Sequence, residues 1–336
     1  MATVDTACGP VDLDDLGPSL MHEHVFIMQP EAWQNWGHAF GPGYWDERER
    51  IDDAVAKLTR LRDGGIRTIV DPTVPGLGRY IPRITEVAER AGINIIVATG
   101  VYAFLELPNF LAYRSTQAIA QIFIDEIREG INDTGVKAAF LKCAVERHGL
   151  VGDVPRILVA IAIAGIDTGA PVMVHTNAAA RTGLLALTTL TDHGVDPRRI
   201  VIAHAGDSND LDYLHAIADT GASLGCDRFG IEHFNPMADR IETLSTLVAQ
   251  GYGDRVHLGH DAACFYDFMV GDPLFAGEKP DYLLICNHVL PSLLDAGVTQ
   301  EQIDQMLIAN PRAFFSEAGT APDPAPSTSG AAAAGP

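Results

Sequence analysis

The chain has 336 residues, 47% apolar, 20% charged and 7% aromatic, the make-up of a folded globular protein with a large core. Lys plus Arg number 23 against 44 Asp plus Glu, a formal charge of −21 that repels phosphate backbones and anionic lipid and argues against nucleic acid and membrane partners. Uncharged apolar runs such as 157–166 fall short of the ~20 residues of a membrane span, and the first 18 residues carry aspartates where a signal peptide needs an apolar region, so a cytoplasmic location is expected.

Eight short apolar or β-branched runs recur along the chain, at 19–26, 67–72, 94–99, 138–143, 172–176, 200–205, 222–227 and 256–261. Helical spacing fills most of the intervals: 51–62, with Ile51, Val55, Leu58 and Leu61 on one face, then 81–91, 119–128, 154–168 and 181–192. Gly64-Gly65, Gly92, Gly130, Gly169 and Gly194 stand where a left-handed cap would end a helix. Eight strands alternating with helices predict an α/β fold, a single-domain (β/α)8 TIM barrel over 1–318; the strand count disfavours an open doubly wound sheet. The Ala/Pro/Gly/Ser segment 319–336 has nothing to pack and is expected to be a disordered tail.

Two stretches read as long irregular loops: 27–48, with Trp33, Trp36, Tyr44 and Trp45, and 262–281, with Phe265, Tyr266, Phe268, Met269 and Phe275. Both follow a strand, where long loops carry function. Their side chains can wall a ligand groove or pack at a dimer interface. Five scattered cysteines, Cys8, Cys143, Cys226, Cys264 and Cys286, form no C-x-x-C pair and read as reduced thiols.

Four of the 12 histidines sit at predicted strand ends: His22 and His24 in L-M-H-E-H-V-F, His175 in V-M-V-H-T and His204 in V-I-A-H-A-G. Residues two apart on a strand share a face, so His22 and His24 project together into the barrel mouth, where this fold builds its sites. One histidine on an apolar strand is most often a satisfied core residue; four in the same position are a ligand set. Lys142 in A-A-F-L-K-C-A and Asp261 in H-L-G-H-D-A-A share that register. A lysine facing the interior is pushed towards its neutral, nucleophilic amine. Such an amine can take up carbon dioxide as a carbamate, a carboxylate able to bridge two metals. A lysine snorkelling to solvent is the competing reading.

Four imidazoles and two carboxylates supply a pair of divalent ions, with His22, His24 and Asp261 on one, His175 and His204 on the other, and carbamylated Lys142 between. The donor set suits zinc, cobalt, manganese or iron and does not choose among them, with zinc the first expectation. Two such ions generate a hydroxide that attacks a carbonyl or phosphoryl centre.

These positions and their settings, H-E-H, F-L-K, V-H-T-N, A-H-A-G-D and G-H-D in strand order, resemble the phosphotriesterase-like group of the amidohydrolase superfamily. The resemblance runs over 16–315 and includes V-D-P-T (70–73), G-L-G-R (76–79), A-T-G-V-Y (98–102), L-P-N-F (107–110), G-D-S-N-D-L-D-Y (206–213), C-D-R-F-G (226–230) and N-P-R-A-F-F (310–315). Within that group it is nearest to the phosphotriesterase-like lactonases that open N-acyl-homoserine lactones. Tyr102 matches their tyrosine beside the metal centre and Arg228 the arginine of the seventh-strand loop. The resemblance implies a small-molecule lactone substrate, a homodimer, and a mechanism in which Tyr102 steadies the oxyanion while Asp261 moves the hydroxide proton to the leaving alkoxide. Organophosphate triester hydrolysis and a non-catalytic small-molecule-binding barrel are the alternatives.

The stretch 28–45 is longer and richer in tryptophan than the family pattern, and A-A-C-F-Y-D-F-M after the eighth strand also departs from it. Cys143 alternates away from Lys142, towards the helices. Glu23 and His260 point away from the ligands, His257 is expected to make a buried hydrogen bond, and His38, His148, His193, His215, His233 and His288 are structural.

Overall fold

The computed structural model describes residues 2–40, 45–267 and 281–316. It opens with an antiparallel hairpin of β1 (Thr3–Thr6) and β2 (Gly9–Asp12). The remaining strands are β3 (Ser19–Leu20), β4 (Glu23–Ile27), β5 (Thr68–Asp71), β6 (Asn94–Gly100), β7 (Phe140–Val145), β8 (Val172–Thr176), β9 (Ile200–Ala203), β10 (Ser223–Cys226), β11 (Val256–Leu258) and β12 (Ala262–Tyr266). They make eight parallel staves, the first being β3 with β4 and the last β11 with β12. Parallel pairing runs from β3 through β5 and onward to β11. β12 pairs with β4, and the Met21 amide donates to the Leu258 carbonyl at 2.8 Å, which completes the ring. The eight expected strands are thus present as a (β/α)8 barrel.

Around it lie α1 (Pro30–Trp36), α2 (Glu47–Asp63), α3 (Ile81–Ala91), α4 (Asn109–Ala112), α5 (Thr116–Arg128), α6 (Val154–Thr168), α7 (Thr182–Asp192), α8 (Leu211–Ala218) and α9 (Met237–Ala249), then α10 (Leu290–Asp295), α11 (Gln300–Asp304) and α12 (Asn310–Ser316). Local chemistry starts and stops them. The side chains of Asp46, Ser115 and Asp210 accept backbone N–H bonds at the starts of α2, α5 and α8, and Gly92 and Gly169 end α3 and α6 at φ +65° and +72°. Among the described residues no helix is long and apolar enough to cross a membrane.

Strand alternation sorts the core. Ile96 and Ala98, Phe140, Met173, Val201 and Ala203 fill the barrel axis. Leu141, Cys143, Val145, Val172 and Val174 face the helices, so Cys143 does point away from Lys142. Below the axis sit Val4 and Leu13 from the hairpin segment and Phe314 and Phe315 from α12, a floor the sequence reading did not foresee. At Gly100, φ is +128° and a Cβ would overlap the Lys142 carbonyl oxygen. Gly100→Ala should therefore lose about 3 kcal/mol or more by chemical denaturation; an unchanged midpoint would show that the two staves can part there.

Three readings need correction. Where it is described, the stretch 27–48 is not irregular: Ile27 ends β4, Pro30 starts α1, and Asp46 caps α2. Trp45 does not wall a groove; its ring packs on Phe26 and Phe265, with the Arg83 guanidinium 4.7 Å above it. The eighth strand does not end at Asp261 but breaks there and resumes as β12, because Asp261 takes φ +53°. Tyr44, Phe268, Met269, Phe275 and the tail 319–336 lie outside the described residues.

Candidate metal centre

The six candidate ligands come together at the C-terminal mouth of the barrel. His22 stands in the break between β3 and β4 and His24 on β4; Lys142 is on β7, His175 on β8, His204 follows β9 at φ +66°, and Asp261 follows β11. The Nε2 atoms of His22 and His24 lie 3.3 and 3.2 Å from Asp261 Oδ1. His204 Nε2 is 2.9 Å from His175 Nδ1 and 3.9 Å from Asp261 Oδ2. Lys142 is only 1% exposed, and its Nζ is buried with no hydrogen-bond partner among the described residues.

Residues to which the sequence reading gave no role aim these ligands. Asp227, one residue past β10, accepts from His22 Nδ1 at 2.8 Å through Oδ2 and from His204 Nδ1 at 2.9 Å through Oδ1. Each imidazole then presents Nε2 to the centre. Gly225 makes room for that carboxylate, since a Cβ there would stand 2.6 Å from Asp227 Oδ2. His24 Nδ1 is held by Thr73 Oγ1 at 2.7 Å, and Asp71 accepts from the same hydroxyl. Glu146 Oε1 lies 3.1 Å from His175 Nε2 and 3.4 Å from the Tyr102 hydroxyl, which is itself 3.3 Å from His175 Nε2. V-D-P-T and C-D-R each place a carboxylate at a strand end, a signal that could have singled out Asp71 and Asp227.

Arg228 spans two carboxylates, donating from Nε to Asp261 Oδ2 at 2.9 Å and from Nη1 to Asp207 Oδ2 at 3.0 Å. Buried Arg240 holds the other oxygen of Asp207 at 2.7 Å. Arg228 thus ties Asp261 to Asp207. His257 differs from expectation: its Nδ1 has no partner among the described residues, its ring packs on Phe314, and burial pulls it down to about 4. His38, His148, His193, His233 and His288 are exposed and His215 half-buried.

The electrostatics suit a cation centre. Burial lowers the Lys142 amine to about 8, and burial followed by Lys142 lowers His22 to about 4. Burial opposes the charge on Asp227 and Asp261, yet both lie well below the usual carboxylate range, Asp227 because of His204 and His22, Asp261 because of His22 and Arg228. Three imidazoles, His22, His175 and His204, held below their usual range by burial, two ionised carboxylates and a buried amine without a partner among the described residues fit divalent ions better than they fit one another. His22, His24 and Asp261 form a trio within ligating reach; the second such trio, His22, His204 and Asp227, uses the Nδ1 side. We assign Asp227 to aiming rather than ligation because its two oxygens are taken up by the two imidazoles.

Above the centre opens a cleft of about 260 Å3. Tyr102, Glu146, Asn177 and Arg228 supply its polar groups, and Ile27, Leu77, Ile231, Phe234 and Tyr266 its apolar wall. Of the expected aromatic residues only Tyr266 reaches it among those described.

A parallel barrel that gathers imidazoles, a carboxylate and a lone lysine under an open cleft is a hydrolase scaffold. Residues 2–315 match the Phosphotriesterase family, and the chain belongs to it. Enzymes of this family, part of the amidohydrolase superfamily, are binuclear metal hydrolases. The chain is 43% identical over 328 residues to the "Phosphotriesterase homology protein" of Mycobacterium tuberculosis (strain ATCC 25618 / H37Rv), covering 95% of this chain and 99% of that one. It is 37% identical to the "Aryldialkylphosphatase" of Saccharolobus solfataricus, over 91% and 97% of the two chains. The solved structure of the phosphotriesterase from Mycobacterium tuberculosis superposes with a TM-score of 0.89 at 42% identity, covering 94% of this chain and 98% of that one.

Proposed function

We propose that the chain is a binuclear metal-dependent lactonase that opens the ring ester of N-acyl-homoserine lactones. The observation that carries this reading is the Tyr102 hydroxyl beside His175, in a cleft whose remaining wall is mostly apolar. A neutral ring ester with an acyl chain matches both halves of that cleft. His22, His24 and Asp261 would hold one ion, His175 and His204 the other, with Lys142 as carbamate between them. Bound there, divalent ions such as zinc would activate water and polarise the scissile carbonyl.

The chain's own residues do the rest. Burial and then Glu146 raise the Tyr102 phenol, so it stays protonated and can donate to the substrate's carbonyl oxygen. Asp261 Oδ1, between His22 and His24, accepts the proton of the attacking water and passes it to the departing alkoxide. Arg228 keeps Oδ2 engaged, so the carboxylate turns little during that transfer. Ile27, Leu77, Ile231 and Phe234 would take the acyl chain, and the chain would act as a cytoplasmic homodimer.

Phosphotriester hydrolysis is the second reading, favoured by the 37% identity to a protein named aryldialkylphosphatase. The same residues could serve a tetrahedral phosphoryl centre. The test is kcat/KM on acyl-homoserine lactones of graded chain length beside an organophosphate triester, with divalent metal and bicarbonate, before and after chelation. Lactone turnover should exceed triester turnover at least about 100-fold and fall on chelation. Faster triester turnover would give the second reading its place, and turnover that survives complete chelation would overturn the metal.

A further inference from the structure

The motifs H22-E23-H24 and G259-H260-D261 turn five side chains in two directions. His22, His24 and Asp261 face the centre, whereas Glu23 and His260 meet behind it, both 0% exposed. Glu23 Oε1 accepts from the His260 amide at 2.8 Å and from His260 Nδ1 at 2.7 Å, and Oε2 accepts from the Ala262 amide at 3.2 Å. The Ile285 amide donates to His260 Nε2 at 3.0 Å, so Nδ1 carries the ring proton and all three partners of Glu23 are donors. Both carboxylate oxygens of Glu23 are therefore engaged as acceptors. Between the two clamped amides lies Asp261, whose own amide donates to the His22 carbonyl at 3.0 Å and whose carbonyl accepts from the Tyr266 hydroxyl. Its φ of +53° is a conformation that non-glycine residues adopt rarely.

We propose that Glu23 and His260 are positioning residues: their buried pair fixes the left-handed turn at Asp261 and so aims its carboxylate at His22 and His24. The amides of 260, 261 and 262 are all satisfied from residues 22 and 23, so the turn is tied to the chain segment that carries the two histidines. Without the clamp, the eighth stave can run straight through 259–262, and the Asp261 side chain swings away. The assignment rests on Asp261 being a ligand, as read above.

The test uses the full chain loaded with Co(II) alone, its visible absorption, and kcat and KM on the better of the two substrates. Glu23→Gln keeps the volume but places an amide donor against backbone donors. It should lower kcat about 10- to 100-fold with KM within about threefold, and shift the Co(II) bands. His260→Gln, whose amide can still donate to Glu23, should recover most of what His260→Ala loses. A folded Glu23→Gln chain with wild-type kcat and Co(II) bands overturns the proposal; if that variant does not fold, equal losses in His260→Gln and His260→Ala do so. A wild-type chain that takes up no Co(II) overturns the metal reading alone. The clamp is then decided in the metal-free chain by hydrogen exchange at 260 and 262, about tenfold or more faster in Glu23→Gln if it stands and unchanged if it fails.

Discussion

Lys142→Ala should abolish turnover, and a short carboxylate such as propionate should restore part of it. Loss of a group that merely aims a ligand costs about 10- to 100-fold; loss of the group proposed to lie between both ions should cost more, about 1,000-fold or beyond in kcat. The physical ground is the environment of Nζ, buried beneath the cleft and without a partner among the described residues. Burial lowers the amine to about 8, so in the metal-free chain it becomes neutral as pH rises through that value. The neutral lone pair adds to the carbon of carbon dioxide as one C–O π bond opens onto oxygen, an N–C bond forms, and one nitrogen-bound proton leaves to solvent, giving the carbamate anion. Reactivation of metal-depleted protein by metal and bicarbonate should therefore quicken from pH 7 to pH 8, with the carbon dioxide concentration held fixed. Near-normal kcat in Lys142→Ala without added carboxylate would remove the carbamate from the account.

Asp227→Asn should be the most damaging change at a residue outside the proposed ligand set. One carboxylate there accepts from Nδ1 of both His22 and His204 and also takes the His204 amide at 2.8 Å. An asparagine amide can accept on one side only and presents a donor to the other. With about 10- to 100-fold at stake per ligand, the combined loss in metal affinity is about 100- to 10,000-fold. Competition with a chelator of known affinity measures it, and affinity within threefold of wild type would show that packing alone holds the two rings. Replacing the charge in a buried site also affects folding, so the denaturation midpoint should be read beside the affinity.

The barrel, and the gathering of the six candidate side chains at its mouth, were legible because they obey periodic rules. Eight apolar runs separated by helical spacing predict the staves, and parity sends Lys142 inward and Cys143 outward. What escaped depends on contacts between distant parts of the chain. Nothing near 227 announces that Asp227 meets residues 22 and 204, and Glu23 reads as a residue facing away until its partner His260 is placed. The irregular reading of 262–266 failed for a local reason: a left-handed aspartate breaks the strand alternation, and the continuation after it no longer looks like the same strand. In 27–48 the tryptophan-rich sequence hides two helix starts, at Pro30 and at Asp46.

The hairpin beneath the barrel joins the beginning of the described chain to its last helix. Leu13 packs with Phe314 and Phe315, and Arg312 donates to the Leu13 carbonyl at 3.2 Å, all on the face opposite the cleft. A purification handle, a solid support or a fused partner attached at Ser316 would thus start from the underside, away from substrate entry. The same arrangement suits circular permutation: a short peptide bridging the two ends would preserve every stave, and new ends could be opened in a surface turn far from the mouth.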